Sequence, residues 1–218
     1  MEHRPRRSLL KLQVLIGAVA CLALLAGGLA LHAFAQSAEP LSGQVVIPDH
    51  SKVAPSFLLE DQTGRRMGPQ TFHDRVVVMT FLDSHCTQDC PVIGKELAYV
   101  QRKLGSSAPL TLLVVSVAPY TDSPASAAAF AIKSGWIGDW HWLFGTPQQL
   151  AKVWSDYGIW VKPTPKDILH TAALYVVGPD QFVRVADMVP FTPDSLAQSI
   201  HALAPAAHRQ WLAWLPGF

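Results

Sequence analysis

Residues 75–82 read RVVVMTFL: one basic residue, then seven positions with no alternation of polar and apolar side chains. A strand with one wet face would alternate, so an unbroken run of this length predicts a strand buried on both faces. A sheet built on such a strand needs helices on both sides. Whatever this chain does, its fold has to supply those layers.

The rest of the sequence provides them in alternation. LTLLVVSVAP (110–119) is a second buried strand, and WHWLFG (140–145) is a shorter one. CPVIGKELAYVQRKLG (90–105) places Val92, Leu97, Val100 and Leu104 at helical spacing and stops at Gly105, a C-cap candidate. TDSPASAAAFAIKSG (121–135) opens with capping residues and reads as a helix. Thr146-Pro147 and Thr192-Pro193 each pair a cap with a proline at the first turn, so helices follow both. SFLLEDQTGRRM (56–67) predicts a hairpin about Thr63-Gly64, and TAALYVVGPDQFVRVADMV (171–189) another about Gly178-Pro179-Asp180. This order predicts an α/β fold: a central mixed sheet flanked by helices.

The N-terminus is of a different kind. Arg4, Arg6, Arg7 and Lys11 form a positive head, no charged residue occurs from Val14 to Leu31, and AFAQ offers a small-x-small cut between Ala35 and Gln36. Residues 1–35 therefore read as an export signal, or as an apolar anchor helix if uncut. The basic flank keeps the N-terminus in the cytoplasm and sends the remainder outward. The expected place is the periplasmic side of a bacterial-type inner membrane, or the periplasm itself after cleavage. The expected organisation is residues 36–52 as a linker, 53–205 as the folded domain and 206–218 as a tail. That tail carries Trp211, Trp214, Leu215 and Phe218, which pack on the domain or touch a groove or membrane. The formal net charge of the 218 residues is +1, so nothing points to a nucleic-acid surface or a strongly acidic partner.

Cysteine usage narrows the chemistry. The chain has three cysteines, and Cys21 lies in the apolar leader. Cys86 and Cys90 remain, in FLDSHCTQDCP, where the first buried strand gives way to a helix. A thiol at a helix N-terminus has its thiolate stabilised. Four positions on is the same side, one turn away, so the two sulfurs can meet. The pair is open to four readings: unrelated core residues, a small structural disulfide, a dithiol redox pair, or part of a metal site. Redox pairs of thioredoxin-like enzymes use two intervening residues, and three stand here. Two thiolates favour a soft ion such as Cu(I), and an imidazole would complete a trigonal site. Of nine histidines, His3 and His32 lie in the leader, and His50, His201 and His208 in the linker or tail. His73 precedes the strand and His141 sits between two tryptophans. His85 adjoins Cys86, but neighbouring side chains at a strand end point apart. His170 precedes the strand of the late hairpin, and in a thioredoxin-like topology that segment lies opposite the cysteine helix.

FLDSHCTQDCP, SVAPYTDSPASAAAF, WHWLFGTPQQLAKVWSDYGIWVKP and ILHTAALYVVGPDQFV occur in the order and spacing of the Sco/SenC family of copper chaperones, which this chain resembles over roughly residues 53–203. The resemblance implies a thioredoxin-like fold with an N-terminal anchor or export signal. It implies one copper per chain, Cu(I) or Cu(II), held by Cys86, Cys90 and His170. The implied role is copper delivery to the binuclear copper site of cytochrome c oxidase, or reduction of that site's cysteines. The implied partners are a copper-accepting oxidase subunit and an upstream copper donor or thiol reductant. Two alternatives use the same residues: an exported thiol–disulfide reductase with Cys86 and Cys90 as its redox pair, and a copper or redox sensor. The chain departs from the family in having Thr87 where proline usually follows the first cysteine. Ala118 stands where an aspartate is usual, with Asp122 as a neighbouring acidic residue.

Overall fold

The structure is a computed structural model that describes residues 44–205, Lys166 and Val189 apart. The leader, with its signal or anchor reading, and the aromatic tail lie outside the described residues. Among the described residues no helix is long and apolar enough to cross a membrane.

A six-stranded mixed sheet forms the centre. Its strands are β1 (Gln44–Val46), β4 (Val76–Leu82), β5 (Leu110–Ser116), β6 (Asp139–Leu143), β9 (Ala173–Val177) and β10 (Val183–Met188), in the order β1-β10-β9-β4-β5-β6. β4, β5 and β6 run parallel, while β9, β10 and β1 pair antiparallel. All seven residues of β4 are buried, as are all seven of β5. The period of two divides β4 between two cores: Val76, Val78 and Leu82 face one, and Val77, Met79 and Phe81 the other.

Three helices cover the first face: α1 (Asp89–Leu104), α2 (Pro124–Ser134) and α4 (Pro193–Leu203). They bring in Ile93, Leu97, Phe130, Leu196 and Ile200. The second face is covered by α3 (Pro147–Asp156) through Leu150 and Val153, and by the hairpin of β2 (Leu59–Glu60) and β3 (Arg66–Met67). Ser123 and Thr146 cap α2 and α3 as their sequences suggest, each accepting the N–H of the residue three positions on. The expected helices, hairpins and two-sided burial are all present.

Several local readings change. The helix starts at Asp89, with Gln88 as N-cap, so Cys90 falls in its first turn while Cys86 lies in the preceding loop and not in the helix itself. Val92 does not face the core; it is 53% exposed, and Ile93 takes the buried position. β1 falls inside the segment read as linker and pairs with β10. A separate two-stranded hairpin, β7 (Val161–Pro163) with β8 (Ile168–His170), stands between α3 and β9, where the sequence showed no strand signal.

Candidate metal centre

Register brings the cysteines and His170 to one place. β4 and β5 are parallel with Leu82 opposite Ser116, so the loops after both strands emerge at the same end. β9 runs the other way, with Leu174 opposite Thr80, so the residues just before β9 sit at that end too. His170 is four residues before Leu174. It is the last residue of β8, separated from β9 by Thr171 and Ala172.

Cys86 is half-buried and Cys90 is buried, and both are free thiols. Cys90 occupies the first turn of α1 and packs into the first core. Its thiol donates a hydrogen bond to the Cys86 sulfur. With further donation from the backbone N–H groups of Cys90 and Gln88, this brings the Cys86 pKa down to about 6 against the opposing effect of burial. The helix N-terminus thus serves Cys86 from below, although Cys86 is outside the helix. Cys90 moves the other way: its bond to Cys86 and its burial push its thiol up.

Cys90 Sγ also lies 3.9 Å from His170 Nε2. The other ring nitrogen, Nδ1, is 3.1 Å from the Thr171 carbonyl. A carbonyl only accepts, so Nδ1 donates to it, and in the neutral ring the lone pair is then on Nε2, the nitrogen nearest the Cys90 sulfur. The Cys90 sulfur is thus the common neighbour of the Cys86 sulfur and of His170 Nε2, although the three donor atoms do not all lie within 4.8 Å of one another. Such a donor set suits a soft or borderline metal ion.

His85 does not join this group. It is exposed and stands 3.7 Å from both Asp83 and Asp122. Asp83, His85 and Asp122 form a cluster of their own, with ligand atoms within 4.8 Å. Asp122 is already committed there. It accepts from Ser84 N–H (2.9 Å), Ser84 Oγ (2.5 Å), Ser116 Oγ (2.6 Å) and Trp142 Nε1 (3.3 Å), and so fastens the cysteine loop to the β5 end. Burial pushes its pKa up. The sequence marked Asp122 only as an acidic neighbour; its partners are up to 38 residues away, and spacing carries no sign of them. Ala118, in the usual aspartate position, is buried and donates its N–H to Ser116 Oγ. His141 is buried between Asp61 and Asp139, away from the cysteines.

An apolar cleft of about 610 Å³ opens beside this centre. Val117, Pro119, Trp154 and Ile168 form walls, and Asp83 and Asp167 stand at its edge. Tyr120, also lining it, is 84% exposed.

Comparison with known proteins matches residues 46–205 to the SCO1/SenC family. The Protein SCO2 homolog, mitochondrial, of Bos taurus is 28% identical over 137 residues, covering 57% of this chain and 49% of the relative. The chain thus spans about half the length of the curated relatives it matches. Among solved structures, copper-bound ScoI of Bradyrhizobium japonicum is 26% identical with a TM-score of 0.61, covering 69% of this chain and 99% of its own. Copper-bound Sco1 of yeast is 20% identical with a TM-score of 0.59, covering 68% and 94%, a likeness of fold.

Proposed function

Since the chain belongs to the SCO1/SenC family, whose members act in cytochrome c oxidase assembly, we propose that it is a copper metallochaperone holding one copper ion with Cys86, Cys90 and His170. The observation that carries this is the position of Cys90, whose thiol bonds the Cys86 sulfur and whose Sγ lies 3.9 Å from His170 Nε2. A metal ion bound at Cys90 draws the Cys86 sulfur and the His170 ring inward to complete its three donors. The two thiolates provide for Cu(I), and the nitrogen extends the site toward Cu(II). Copper is cargo in this reading, delivered to the binuclear copper site of an oxidase subunit. The apolar cleft, lined by His85 and by Asp167 and Ile168 of the His170 hairpin, gives an incoming partner a surface near the ligands. Residues 1–35 act as export signal or anchor, 36–52 as the tether, 53–205 as the copper-binding domain and 206–218 as an accessory tail. The domain works at the periplasmic face of a bacterial-type inner membrane, or free in the periplasm if the leader is cut.

Titration of the reduced full chain with Cu(I) tests the assignment. One equivalent binds, and the chain oxidised to a Cys86–Cys90 disulfide binds none, because thiolates are the ligands. Equal uptake by both forms overturns it.

A second reading rests on the same pair. A Cys86 thiolate beside a protonated Cys90 has the asymmetry of an attacking and a resolving thiol. The Cys86 thiolate attacks a partner disulfide, forms a mixed disulfide and expels one partner thiolate. Cys90 gives up its proton and attacks the Cys86 sulfur, which expels the second partner thiolate. Two electrons pass to the partner and the chain ends as the Cys86–Cys90 disulfide, to be reset by an external thiol reductant.

A further inference from the structure

The hairpin that carries His170 does not belong to the main sheet. β7 and β8 pair with each other, with Val161 opposite His170 and Pro163 opposite Ile168. Its apolar contact with the second core goes through Val161 and Ile168, both only partly buried. Its base is closed by two hydrogen bonds: Thr171 N–H to the Trp160 carbonyl at 2.9 Å, and Trp160 N–H to Thr171 Oγ1 at 3.1 Å. Cys90, by contrast, is set in the first turn of a sixteen-residue helix packed on the sheet. One ligand of the proposed centre therefore rides on a satellite element while another is fixed to the main fold.

At the hairpin tip the turn is well defined. Thr164 N–H and Oγ1 both donate to the Asp167 carbonyl, and Asp167 N–H donates back to Thr164 Oγ1 at 2.9 Å. This fixes the direction of the Asp167 side chain. One carboxylate oxygen accepts the N–H of Ile168 at 2.8 Å; the other accepts Gln88 Nε2 at 3.1 Å. Gln88 lies between the two cysteines in sequence and is the N-cap residue of α1. The bond thus joins the loop of one pair of ligands to the turn of the other ligand's hairpin, beside the Cys90–His170 contact.

We propose that Gln88 and Asp167 form a latch that holds the His170 hairpin against the cysteine pair, which makes them positioning residues for the centre. Closed, the latch keeps His170 Nε2 next to Cys90, so the third donor stands beside one of the sulfurs before a metal arrives. Open, it withdraws the imidazole and leaves two sulfurs accessible to a partner's ligands. Its use in copper handling rests on the metallochaperone reading; its existence does not. Nothing in the sequence announces it, since the two residues are 79 positions apart and neither is a metal ligand.

Two readouts on the full chain test it. The first is amide hydrogen exchange of the metal-free protein at Ile168, Leu169 and His170. Gln88→Ala removes the donor from an exposed position without touching the turn, and exchange there quickens by about twofold to tenfold, the range expected for one hydrogen bond. Gln88→Glu sets two carboxylates against each other and quickens it further. Exchange in α1 beyond its first turn stays as in the parent. Asp167→Ala also frees the Ile168 N–H directly, so it is read at Leu169 and His170, where it acts in the same direction and adds little to Gln88→Ala, because both remove the same latch contact. Unchanged hairpin exchange in both Gln88 variants, or fully additive effects in the double variant, overturns the latch. The second readout is copper affinity. Cu(II) binding weakens in proportion to the fall in the closed fraction, so by less than exchange quickens and most in Gln88→Glu, where the two carboxylates hold the hairpin open; Cu(I), held by the two sulfurs, changes less. Cu(II) affinity equal to the parent in Gln88→Glu overturns the positioning role. If the parent itself takes up no copper, the metallochaperone reading fails, and the exchange data alone decide the latch.

Discussion

Cys86 and Cys90 are the same residue type four positions apart, yet their surroundings drive them in opposite directions. Cys86 receives the Cys90 thiol and two backbone N–H groups, all of which favour its thiolate. The sign follows: its rate of alkylation rises with pH through a midpoint near 6. Cys90→Ala deletes the largest of those donors, so the Cys86 midpoint moves up toward the ordinary thiol range. A midpoint that stays put, measured by iodoacetamide kinetics, would show that Cys90 is not the source of the shift. His170 makes a different prediction. His170→Ala removes the nitrogen donor but leaves both sulfurs, which can hold Cu(I) in a linear pair. Cu(II) binding therefore collapses, Cu(I) binding weakens moderately, and reduction of a model disulfide stays within about tenfold of the parent, since it depends on Cys86. Equal loss of Cu(I), Cu(II) and reductase activity would place His170 in the fold and not at the metal. The sequence singled out Cys86 and Cys90 because thiols are few, and His170 through its place before the late hairpin and the family resemblance; the structure sets His170 Nε2 3.9 Å from the Cys90 sulfur. What the sequence could not show was their partners: the Thr171 carbonyl that fixes the His170 tautomer, the Asp122 anchor of the cysteine loop, and Gln88 with Asp167.

At the scale of elements, legibility tracked length. β4, β5 and the four helices are long enough for their hydrophobic period and caps to speak, and they stand where the sequence put them, give or take a turn. β1, β7 and β8 are three residues each, and β7 reads VKP, with a proline that argues against a strand. Such pieces exist because tertiary partners complete them: β10 for β1, and each other for β7 and β8. Val92 failed for a related reason. A helix reading from spacing alone cannot tell which of two adjacent apolar residues faces inward until the sheet is in place. Gly94 shows the converse, a residue whose neighbour decides its type. Its carbonyl accepts Trp136 Nε1 at 2.8 Å, and a Cβ built on it would stand 2.4 Å from Ser134 Oγ and 2.9 Å from the Phe130 ring. Gly94→Ala gains up to ~1 kcal/mol of helix propensity. Against that stands crowding of a ring already wedged between Trp136 and Trp142, with centroids 5.5 Å and 5.3 Å away. Overpacking of this kind costs about 1–3 kcal/mol, so the clash wins. The urea midpoint of Gly94→Ala falls with an unchanged slope; a rise would mean α1 and α2 are not packed as closely as the structure has them.

Taken whole, the molecule has its candidate metal centre at the carboxyl ends of β4 and β5 and a second polar assembly elsewhere, where the β2–β3 hairpin meets β6. There Asp61 bonds His141 Nδ1 at 2.9 Å, and Asp139 bonds His141 Nε2 at 3.1 Å, Thr111 Oγ1 at 2.6 Å and Arg75 at 3.0 Å. This clasp ties the hairpin layer to the sheet across 80 residues of sequence. Burial by itself would raise Asp61, but hydrogen bonds from Thr63, Arg65 and His141 hold it down at about 2. Asp139 is held at about 2 chiefly by His141, with Thr111 and Arg75 assisting. Both folded values lie below the ordinary aspartate value of about 4. Such groups contribute stability that is complete above the unfolded pKa and is lost as pH falls through the folded one. Asp122, Asp187 and Glu96 are shifted upward by burial and work in the opposite sense, favouring the fold as they take up protons. Around pH 4–5 the two sets therefore oppose each other, and below about pH 4 the clasp dominates. The thermal midpoint of the metal-free chain should fall most steeply between about pH 4 and pH 2. Asp61→Asn removes one charge of the clasp, so it lowers the midpoint at neutral pH and flattens that acid limb. An acid limb as steep in Asp61→Asn as in the parent would move the origin of acid sensitivity to carboxylates outside the clasp.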